Sequence, residues 1–480
     1  MYNRIILALL VLFSLKIYAD NLPTGNSEKL TTEEQAWIAK ANIHKDAGWI
    51  IVHTEGTPME RGFQHGYILA NEFKEAWRVA SYMCVQTTGM DFSFFVNKAV
   101  ELYGEKMPEY LVQEMTGIAA GLTKAGVPTT YNQVLGWNMY GELTESWWPL
   151  HANEYTDYYV PKAKKDKCSA FVATGSATKG GKIVIGHETF GDFSLQQAYN
   201  IALEIIPDEG FGFIMQCAPG FISSQEDFYI NVAGIATVET TILGLTTYTT
   251  DGIPYFVRTR NAIQFGGNID EFVEQMNKGN NGGMNASWLI ADINTNEIAR
   301  FEQGLYYTSL KKKKDGYFYG CNVVWDPRIR NLECKGETGF NDPRMQTGAR
   351  RIRWPQLLEP NLGSIDAQAG MTMLADTFDV YLNKEQPSCR TICAHYDIDP
   401  REFAPPVTAW AEPYTPAGST DGKVTTAELA ADLKFWGRIG RADGIEFDVD
   451  SFLKSHPEWS WQKGYLKSRP SQPWVIIEAE

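Results

Sequence analysis

The segment from Lys167 to Phe193 has the pattern of two β-strands joined by a tight turn at Gly180-Gly181. Such a hairpin returns the end of the second strand to the start of the first. Cys168 opens the first strand and His187 lies near the end of the second. The hairpin therefore predicts that these two side chains lie close together, with Cys168 as a candidate nucleophile.

The segment before Cys168 is typical of an exposed connector. Residues 144–167 have no helical or strand period and end in a lysine-rich run, which favours a cut here. Cleavage between Lys167 and Cys168 would give Cys168 an α-amine with a pKa of about 7.7–8.0, able to act as base for its own thiol. We predict this autocleavage. The competing interpretation is a buried, inert strand cysteine, which is the more common state of cysteine.

The N-terminus has the features of a secretory signal peptide. Arg4 precedes an apolar run over residues 5–15, and Ala19 stands at a small-residue cleavage position. The run is too short to span a bilayer, which takes about 20 residues. We expect a signal peptide over 1–19, the alternative being an uncleaved anchor. A mostly helical fragment then covers 20–167, and a catalytic part covers 168–480, the two forming one compact unit.

The predicted export suggests a secreted or periplasmic protein. Asn285-Ala-Ser287 is the one Asn-x-Ser/Thr sequon, which makes a lysosomal eukaryotic protein the less favoured alternative. The net charge of −15 and the absence of a Lys/Arg-rich stripe argue against nucleic acid and anionic membrane surfaces as main partners. No integral membrane segment is expected after signal removal.

The cysteines and histidines do not match a metal-binding motif. Seven cysteines leave at least one unpaired thiol in an exported chain. Cys389 could pair with Cys393, and Cys321 with Cys334. Because there is no Cys-x-x-Cys and no helical His-x-x-x-His, we expect no structural zinc site, and no cofactor.

The order of elements predicts an α+β fold. Helical patterns dominate up to about residue 143, including one over 31–43, and strand patterns dominate after Cys168. That order suggests sheets covered by helices. At the start of one helix, Arg61 and His65 suggest structural pairing. The turn-rich segment 417–424 is interpreted as a loop.

Two further places can contribute to an active site. Asn285 follows a glycine-rich loop and precedes a predicted strand over 287–293, a position suited to an oxyanion-hole donor. An ordinary turn asparagine is the alternative. Arg350 and Arg351 open a helix. Either one could contact the groups around the α-amine or a substrate carbonyl. A solvated helix face is equally compatible with each.

Several sequence blocks between about Glu55 and about Val424 form a recognisable set. They are Gly186–Phe190, Gln216–Tyr229, Val238–Ile242, Asn285–Asp292, Cys393–Pro400 and Pro416–Val424. Together these blocks resemble the phospholipase B-like proteins of the N-terminal-nucleophile hydrolases. The segment Glu60–Gly66 is also similar to the start of the related acyltransferase and C45 peptidase group.

The resemblance implies a four-layer αββα sandwich and autocatalytic cleavage before Cys168. It also implies that His187, Asn285 and Arg350 or Arg351 line the site, with His187 as a neighbour of substrate or nucleophile and Asn285 as the oxyanion donor. Phe190 stands where the acyltransferase branch has an aspartate, which favours the phospholipase B-like branch.

The implied activity is hydrolysis of an amide or ester bond in a small-molecule or lipid acyl substrate, through a Cys168 thioester. Two alternatives stay open at this level. One is an acyltransferase, in which an amine replaces water. The other is a secreted binding protein without catalysis.

Overall fold

The computed structural model describes residues 22, 25–157, 168–336, 338–403 and 412–479. The predicted signal peptide and Lys167 lie outside them. The α-helices are Thr32–Ile38 (α1), Pro58–Ile68 (α2), Ala70–Thr88 (α3), Phe92–Tyr103 (α4), Glu109–Lys124 (α5), Tyr131–Glu142 (α6), Trp148–His151 (α7), Phe193–Gln196 (α8), Tyr255–Phe265 (α9), Ile269–Asn277 (α10), Gln346–Leu358 (α11), Ala367–Leu374 (α12), Ala427–Ala431 (α13) and Val449–Ser455 (α14).

The strands are Asn42–Asp46 (β1), Trp49–Gly56 (β2), Cys168–Thr174 (β3), Val184–Asp192 (β4), Ile201–Pro207 (β5), Phe213–Cys217 (β6), Phe228–Asn231 (β7), Ile235–Thr241 (β8), Ala286–Asp292 (β9), Glu297–Gln303 (β10), Thr308–Lys313 (β11), Gly316–Gly320 (β12), Phe378–Asp379 (β13), Lys384–Glu385 (β14), Ala417–Ser419 (β15), Asp421–Thr426 (β16), Phe435–Ile439 (β17) and Val475–Ile477 (β18). Short 3-10 turns are Gly104–Lys106, Ala152–Glu154, Gly175–Ala177, Glu359–Asn361 and Pro457–Gln462, and π-helical turns are Leu143–Trp147 and Ile329–Glu333.

The strands form two large sheets. The nine-stranded sheet has the order β1-β2-β5-β6-β7-β8-β9-β10-β11. The seven-stranded sheet has the order β12-β3-β4-β16-β17-β18, with β15 also pairing with β4. All neighbours in these sheets are antiparallel except β2 and β5, which are parallel. The strands β13 and β14 form a separate ribbon.

The two sheets pack face to face across an apolar layer. Alternate residues of β3, Ala170 and Val172, lie in the same buried cluster as Val238 of β8 and Leu289 of β9. The intervening residue Phe171 points to the other face of its sheet, because side chains alternate along a strand. This period-2 pattern separates an inner face from an outer face on each sheet.

Helices cover both outer faces. Helices α2 to α6, α9 and α10 pack on the nine-stranded sheet, around the large cluster that includes Trp137 and Trp288. Helices α11 and α12 cover the seven-stranded sheet, where Trp354 and Met373 contact the cluster of Phe171. The layers are therefore helix, sheet, sheet, helix, and the predicted α+β αββα sandwich is confirmed.

Helices α2 and α5 approach so closely that their contact needs glycine. A Cβ added at Gly62 would lie 2.1 Å from the backbone oxygen of Glu114 on the facing helix. The buried Arg61 lies beside this contact and its Nε donates to Glu114 Oε2 at 2.9 Å, while Arg260 Nη2 pairs with the same oxygen at 2.7 Å. His65 Nε2 accepts from the Gly220 N–H at 2.8 Å. The predicted structural role of this helix start is confirmed.

Three predictions from the sequence pattern were wrong. The helix expected over 31–43 ends at Ile38, because residues 42–46 pair with β2 as a strand. The connector expected from residue 144 continues as helical turns to Glu154, with Trp147 and Trp148 buried against Phe94.

The segment 417–424 is the third: it contributes β15 and β16 instead of a loop. Strand β16 is central, paired with β4 on one side and β17 on the other. The sequence of this strand has the polar composition of a turn, because its buried side chains contact one another in a polar cluster and not in an apolar core.

None of the seven cysteines forms a disulfide in the structure. The two pairings considered from the sequence, Cys389 with Cys393 and Cys321 with Cys334, are therefore not formed. Among the helices of the described ranges, none is long and apolar enough to cross a membrane.

Candidate active site

The hairpin of β3 and β4 positions Cys168 and His187. The strands are antiparallel, with Cys168 opposite Thr189 and Ala170 opposite His187. Gly180 and Gly181 both have positive φ in the connection, as the sequence predicts for a tight turn. Because directly paired residues share a face, Cys168 and His187 both point with Ala170 into the space between the sheets. The predicted antiparallel pairing is confirmed, but the connection covers residues 175–183 and includes the 3-10 turn Gly175–Ala177, so it is longer than the predicted tight turn. Both residues are buried.

The backbone of Cys168 is held by two buried polar side chains. Its N–H points to Asn322 Oδ1 at 3.5 Å, and its carbonyl oxygen accepts from Arg350 Nη1 at 2.5 Å. Arg350 Nη2 also donates to Asn322 Oδ1 at 2.8 Å, which links the two contacts. The guanidinium lies 4.9 Å from the centre of the Phe190 ring, a cation–π distance. These contacts fix the backbone position of Cys168.

The structure distinguishes between the two arginines. Arg350 is fully buried and contacts Cys168, whereas Arg351 turns away and its Nε donates to the Phe340 carbonyl. Asn322 was missed by the sequence analysis. It lies just after β12, which ends at Gly320.

Asn285 is buried directly before β9. Neither its side-chain oxygen nor its nitrogen has a hydrogen-bond partner among the residues that the structure describes. The next residue, Ala286, pairs with Thr241, and the Thr241 carbonyl accepts from Asn322 Nδ2 at 2.8 Å. Asn285 therefore lies next to the Ala286–Thr241 pair, and Thr241 in turn binds Asn322, the residue that contacts Cys168. A buried amide without partners costs about 1–3 kcal/mol of folding free energy, so its retention suggests a function.

His187 is a neutral imidazole in this structure. Its Nε2 lies 2.9 Å from the Glu239 carbonyl oxygen, which can only accept, so Nε2 carries the hydrogen. Its Nδ1 is left as an acceptor without a partner in the described part of the chain. Burial, and then the positive charge of Lys423, hold the pKa of His187 well below its ordinary value.

A buried lysine beside His187 was also missed. Lys423 of β16 lies opposite His187 in the sheet register and is fully buried. Its Nζ contacts Asp421 Oδ1 and Thr189 Oγ1 at 2.9 Å each and Gln216 Oε1 at 2.6 Å. Thr189 pairs with Cys168 across the two strands. The Lys423 ammonium therefore contacts the residue directly opposite Cys168.

The surroundings of the Cys168 thiol favour its protonated form. Burial, followed by the negative charges of Glu239, Asp227 and Glu226, raises the pKa of Cys168 well above its ordinary value, and Lys423 opposes this only in part. A thiol in this state needs a base before it can attack a carbonyl carbon. Lys167, the residue on the other side of the predicted cut, lies outside the described residues.

Comparison with known proteins gives two relatives and a set of solved structures. A protein of Archaeoglobus fulgidus, whose name assigns no function, is 26% identical over 51% of this chain and 41% of its own length. A Caenorhabditis elegans protein named as phospholipase B-like 2 is 23% identical over 65% of this chain and 62% of its own length. The chain thus spans about two fifths of the length of the first relative and about three fifths of the length of the second.

Among solved structures, the conjugated bile acid hydrolase from Clostridium perfringens has a TM-score of 0.32 at 10% identity, covering 56% of this chain and 88% of its own. Penicillin V acylase from Agrobacterium tumefaciens has a TM-score of 0.31 at 10% identity, covering 57% and 83%. These scores are too low to support an argument about the site.

The family comparison covers the candidate site more directly. The sequence model of the family described as Phospholipase B matches residues 61–319. That range is more than half of the chain. It includes the α2–α5 helix contact, the β3–β4 hairpin with Cys168 and His187, and the loop that carries Asn285. The chain belongs to the phospholipase B family.

Proposed function

We propose that the protein is a secreted, self-cleaving acyl hydrolase in which Cys168 becomes an N-terminal nucleophile. One observation carries the proposal. The Cys168 N–H is directed at Asn322 and its carbonyl is held by Arg350. An amine formed from that N–H would therefore start from a defined position. The α-amine released by a cut before Cys168 would occupy this place, within reach of Asn322 Oδ1.

The cut itself can use the thiol of Cys168. Its Sγ attacks the carbonyl carbon of Lys167, the peptide C–N bond breaks, and the released nitrogen takes the thiol proton. The Lys167 acyl group is then a thioester on Cys168. Water hydrolyses this thioester, which leaves a carboxylate on Lys167 and both a free thiol and a free amine on Cys168.

The same residues then support turnover of an acyl substrate. The α-amine, with a pKa of about 7.7–8.0, takes the thiol proton as Sγ attacks the substrate carbonyl. The unpartnered Asn285 amide is the donor to the oxyanion that forms. The protonated amine passes its proton to the leaving amine or alcohol, and water then hydrolyses the acyl thioester. Amide and ester substrates share this path.

The charges around Cys168 favour a base on the residue itself. His187 already donates to a carbonyl and carries a lowered pKa, so it is a supporting neighbour and a poor partner for an anionic thiolate. Lys423 supplies a buried positive charge that favours a thiolate. Cleavage adds the α-amine to this arrangement as a new candidate base.

An apolar cavity of about 330 Å³ supports an acyl substrate. Its wall combines aliphatic residues and four aromatic residues with charged side chains at the rim: the aromatic residues are Trp137, Tyr140, Tyr199 and Phe221, and the charged ones are Glu72, Glu75 and Lys467. The cavity adjoins the polar cluster through Gln216, whose Nε2 donates to the Tyr199 carbonyl at 2.7 Å and whose Oε1 binds Lys423. Such a cavity suits a hydrocarbon chain, which gains about 0.8 kcal/mol per buried CH₂.

The test compares Cys168→Ala with Cys217→Ala, a matched change at another fully buried strand cysteine. Cys168→Ala should stay one chain on denaturing gels and hydrolyse neither acyl amides nor lysophospholipids. Cys217→Ala should be cut and active. Retained cutting and hydrolysis in Cys168→Ala would overturn the proposal. A competing amine added to the assay identifies an acyltransferase if the acyl–amine adduct exceeds the free acid.

A further inference from the structure

A second group of reactive side chains lies behind the β3–β4 hairpin. One ligand atom from each of Cys393, His395 and Asp443 lies within 4.8 Å of the other two. The side chains of His395 and Asp443 are 0% and 7% exposed, and Cys393 is fully buried. Thiol, imidazole and carboxylate are the three side-chain types that bind zinc in proteins.

The spacing of these groups is close to that of a tetrahedral site. His395 Nε2 and Asp443 Oδ2 are 2.7 Å apart, and the whole set lies within 4.8 Å. Donors held at ~2.0–2.3 Å from one zinc ion in tetrahedral geometry are about 3.3–3.8 Å from one another. Shifts of about 1 Å would therefore convert the cluster into a coordination site.

A fourth buried donor stands beside the cluster. Glu188 is fully buried and its Oε1 has no hydrogen-bond partner within the described ranges. Ser419 connects it to the cluster, because its hydroxyl donates to Glu188 Oε2 at 2.7 Å and also contacts the Cys393 thiol. The unused ring nitrogen of His395, Nδ1, is likewise buried without a partner in the part of the chain that is described.

Two arginines lie near the cluster, and each has a contact of its own. Arg441 forms an ion pair with Asp397 at 2.6 Å, and Arg438 donates to the Ala442 carbonyl at 3.0 Å. Asp443 pairs with His395, and Arg438 acts on Asp443 and Cys393 only through its charge, so a divalent ion would bind the thiolate and the carboxylate more strongly than these neighbours do. We propose that Cys393, His395 and Asp443 bind one divalent transition-metal ion, zinc by preference, with Glu188 as the fourth ligand.

The site would be structural and would support the strand of the candidate nucleophile. Glu188 lies opposite Ser169, the residue after Cys168, and the Ser169 hydroxyl donates to the Ile392 carbonyl at 3.2 Å. A bound ion would thus tie two loops to the outer face of β4. The inference does not depend on the chemistry proposed for Cys168.

The test is metal analysis of the full chain, produced in zinc-supplemented medium and purified without chelator. We expect about one zinc per chain, lost in Cys393→Ser and reduced at least tenfold in affinity in Asp443→Asn, as is typical for loss of a ligand or its support. Cys389→Ser, at a buried cysteine outside the cluster, should keep its zinc. Cobalt substitution should give a thiolate-to-cobalt charge-transfer band in the wild-type chain.

Three results would overturn the site. The first is wild-type protein with no more zinc than Cys393→Ser and with an unfolding temperature that neither zinc nor chelator changes. The second is a cobalt spectrum without the thiolate band, which decides the matter even if the serine variant fails to fold. The third is a Cys389–Cys393 disulfide in non-reduced peptide maps, because Cys393 would then have no thiolate to offer.

Discussion

The amide of Asn285 is buried, unpartnered and placed next to the contacts of Cys168. Because no hydrogen bond holds it in the described structure, Asn285→Ala should cost little stability. Under the oxyanion role it should lower kcat about 100-fold to 1,000-fold, as loss of one such donor does. Steady-state kinetics and thermal unfolding of the variant check both parts.

Asn280→Ala is the matched control for this prediction. Asn280 belongs to the same loop, but its side chain bonds the Gly304 carbonyl and the Gly282 N–H. Its loss should affect stability more than kcat. Equal kcat values for Asn285→Ala and wild type would remove Asn285 from the oxyanion site.

The two neighbouring arginines allow a second prediction at the residue scale. Arg350→Lys removes the paired contacts with Cys168 and Asn322, since an ammonium cannot reproduce the guanidinium fork. We expect self-cleavage to slow at least tenfold. Arg351→Lys should be cut at the wild-type rate, because Arg351 contacts Phe340 instead.

The measurement is a time course of chain cutting after rapid synthesis in vitro, followed on denaturing gels. Equal rates for Arg350→Lys and Arg351→Lys would contradict the role given to Arg350. If only Arg351→Lys were cut slowly, the role would belong to Arg351.

At the level of elements, the contact between α2 and α5 depends on small residues. A Cβ at Gly62 would lie 2.1 Å from the Glu114 carbonyl oxygen, and neither backbone can move without disturbing the buried ion pairs of Arg61 and Arg260. Gly62→Ala should therefore lower the free energy of unfolding by at least about 1–3 kcal/mol.

Gly104→Ala is the control for this helix contact. Gly104 has helical dihedral angles, and its added Cβ would meet only Val100 at an ordinary 3.7 Å. That change should be neutral or stabilising by up to about 1 kcal/mol, from the higher helix propensity of alanine. Chemical denaturation of both variants measures the two free energies of unfolding. A Gly62→Ala protein as stable as Gly104→Ala would contradict the packing described.

Sequence patterns predicted elements well where apolar periodicity was strong. The strand pairing of Cys168 and the helical first third followed from that periodicity and from the glycine turn. The patterns failed at β16, because Asp421 and Lys423 are polar residues buried in mutual contact, and periodicity cannot distinguish them from a solvent-exposed turn.

The candidate site was predictable only in part for a related reason. Cys168 became a candidate from its place after a polar segment, and Asn285 from its glycine-rich loop. Asn322 and Lys423 could not, because their importance comes from contacts with residues 154 and 234 positions away. The choice between Arg350 and Arg351 likewise needed the orientation of one helix.

For the whole molecule, the predicted cut should leave the two parts associated. Strand β2, from the N-terminal part, lies inside the nine-stranded sheet and is parallel to β5 of the C-terminal part. Trp49 is fully buried, with its ring centre 5.7 Å from that of Phe435 across the cut. The fragments should therefore co-elute in native size-exclusion chromatography and separate in denaturant.

Two tryptophan variants test this association. Trp49→Ala removes a buried contact across the cut and should weaken the complex by about 3–5 kcal/mol. Trp37→Ala should leave it intact, because Trp37 packs on Phe63 within the same fragment. Separation of wild-type fragments under native conditions would contradict the single αββα unit.

The most direct measurement of the central claim is the intact mass of the purified wild-type protein, combined with N-terminal sequencing of each fragment. The account predicts a C-terminal fragment that begins at Cys168 with a free amine, and its absence in Cys168→Ala. A single uncut chain, or a cut elsewhere that leaves Cys168 inside a peptide chain, would contradict the proposal that Cys168 acts as an N-terminal nucleophile.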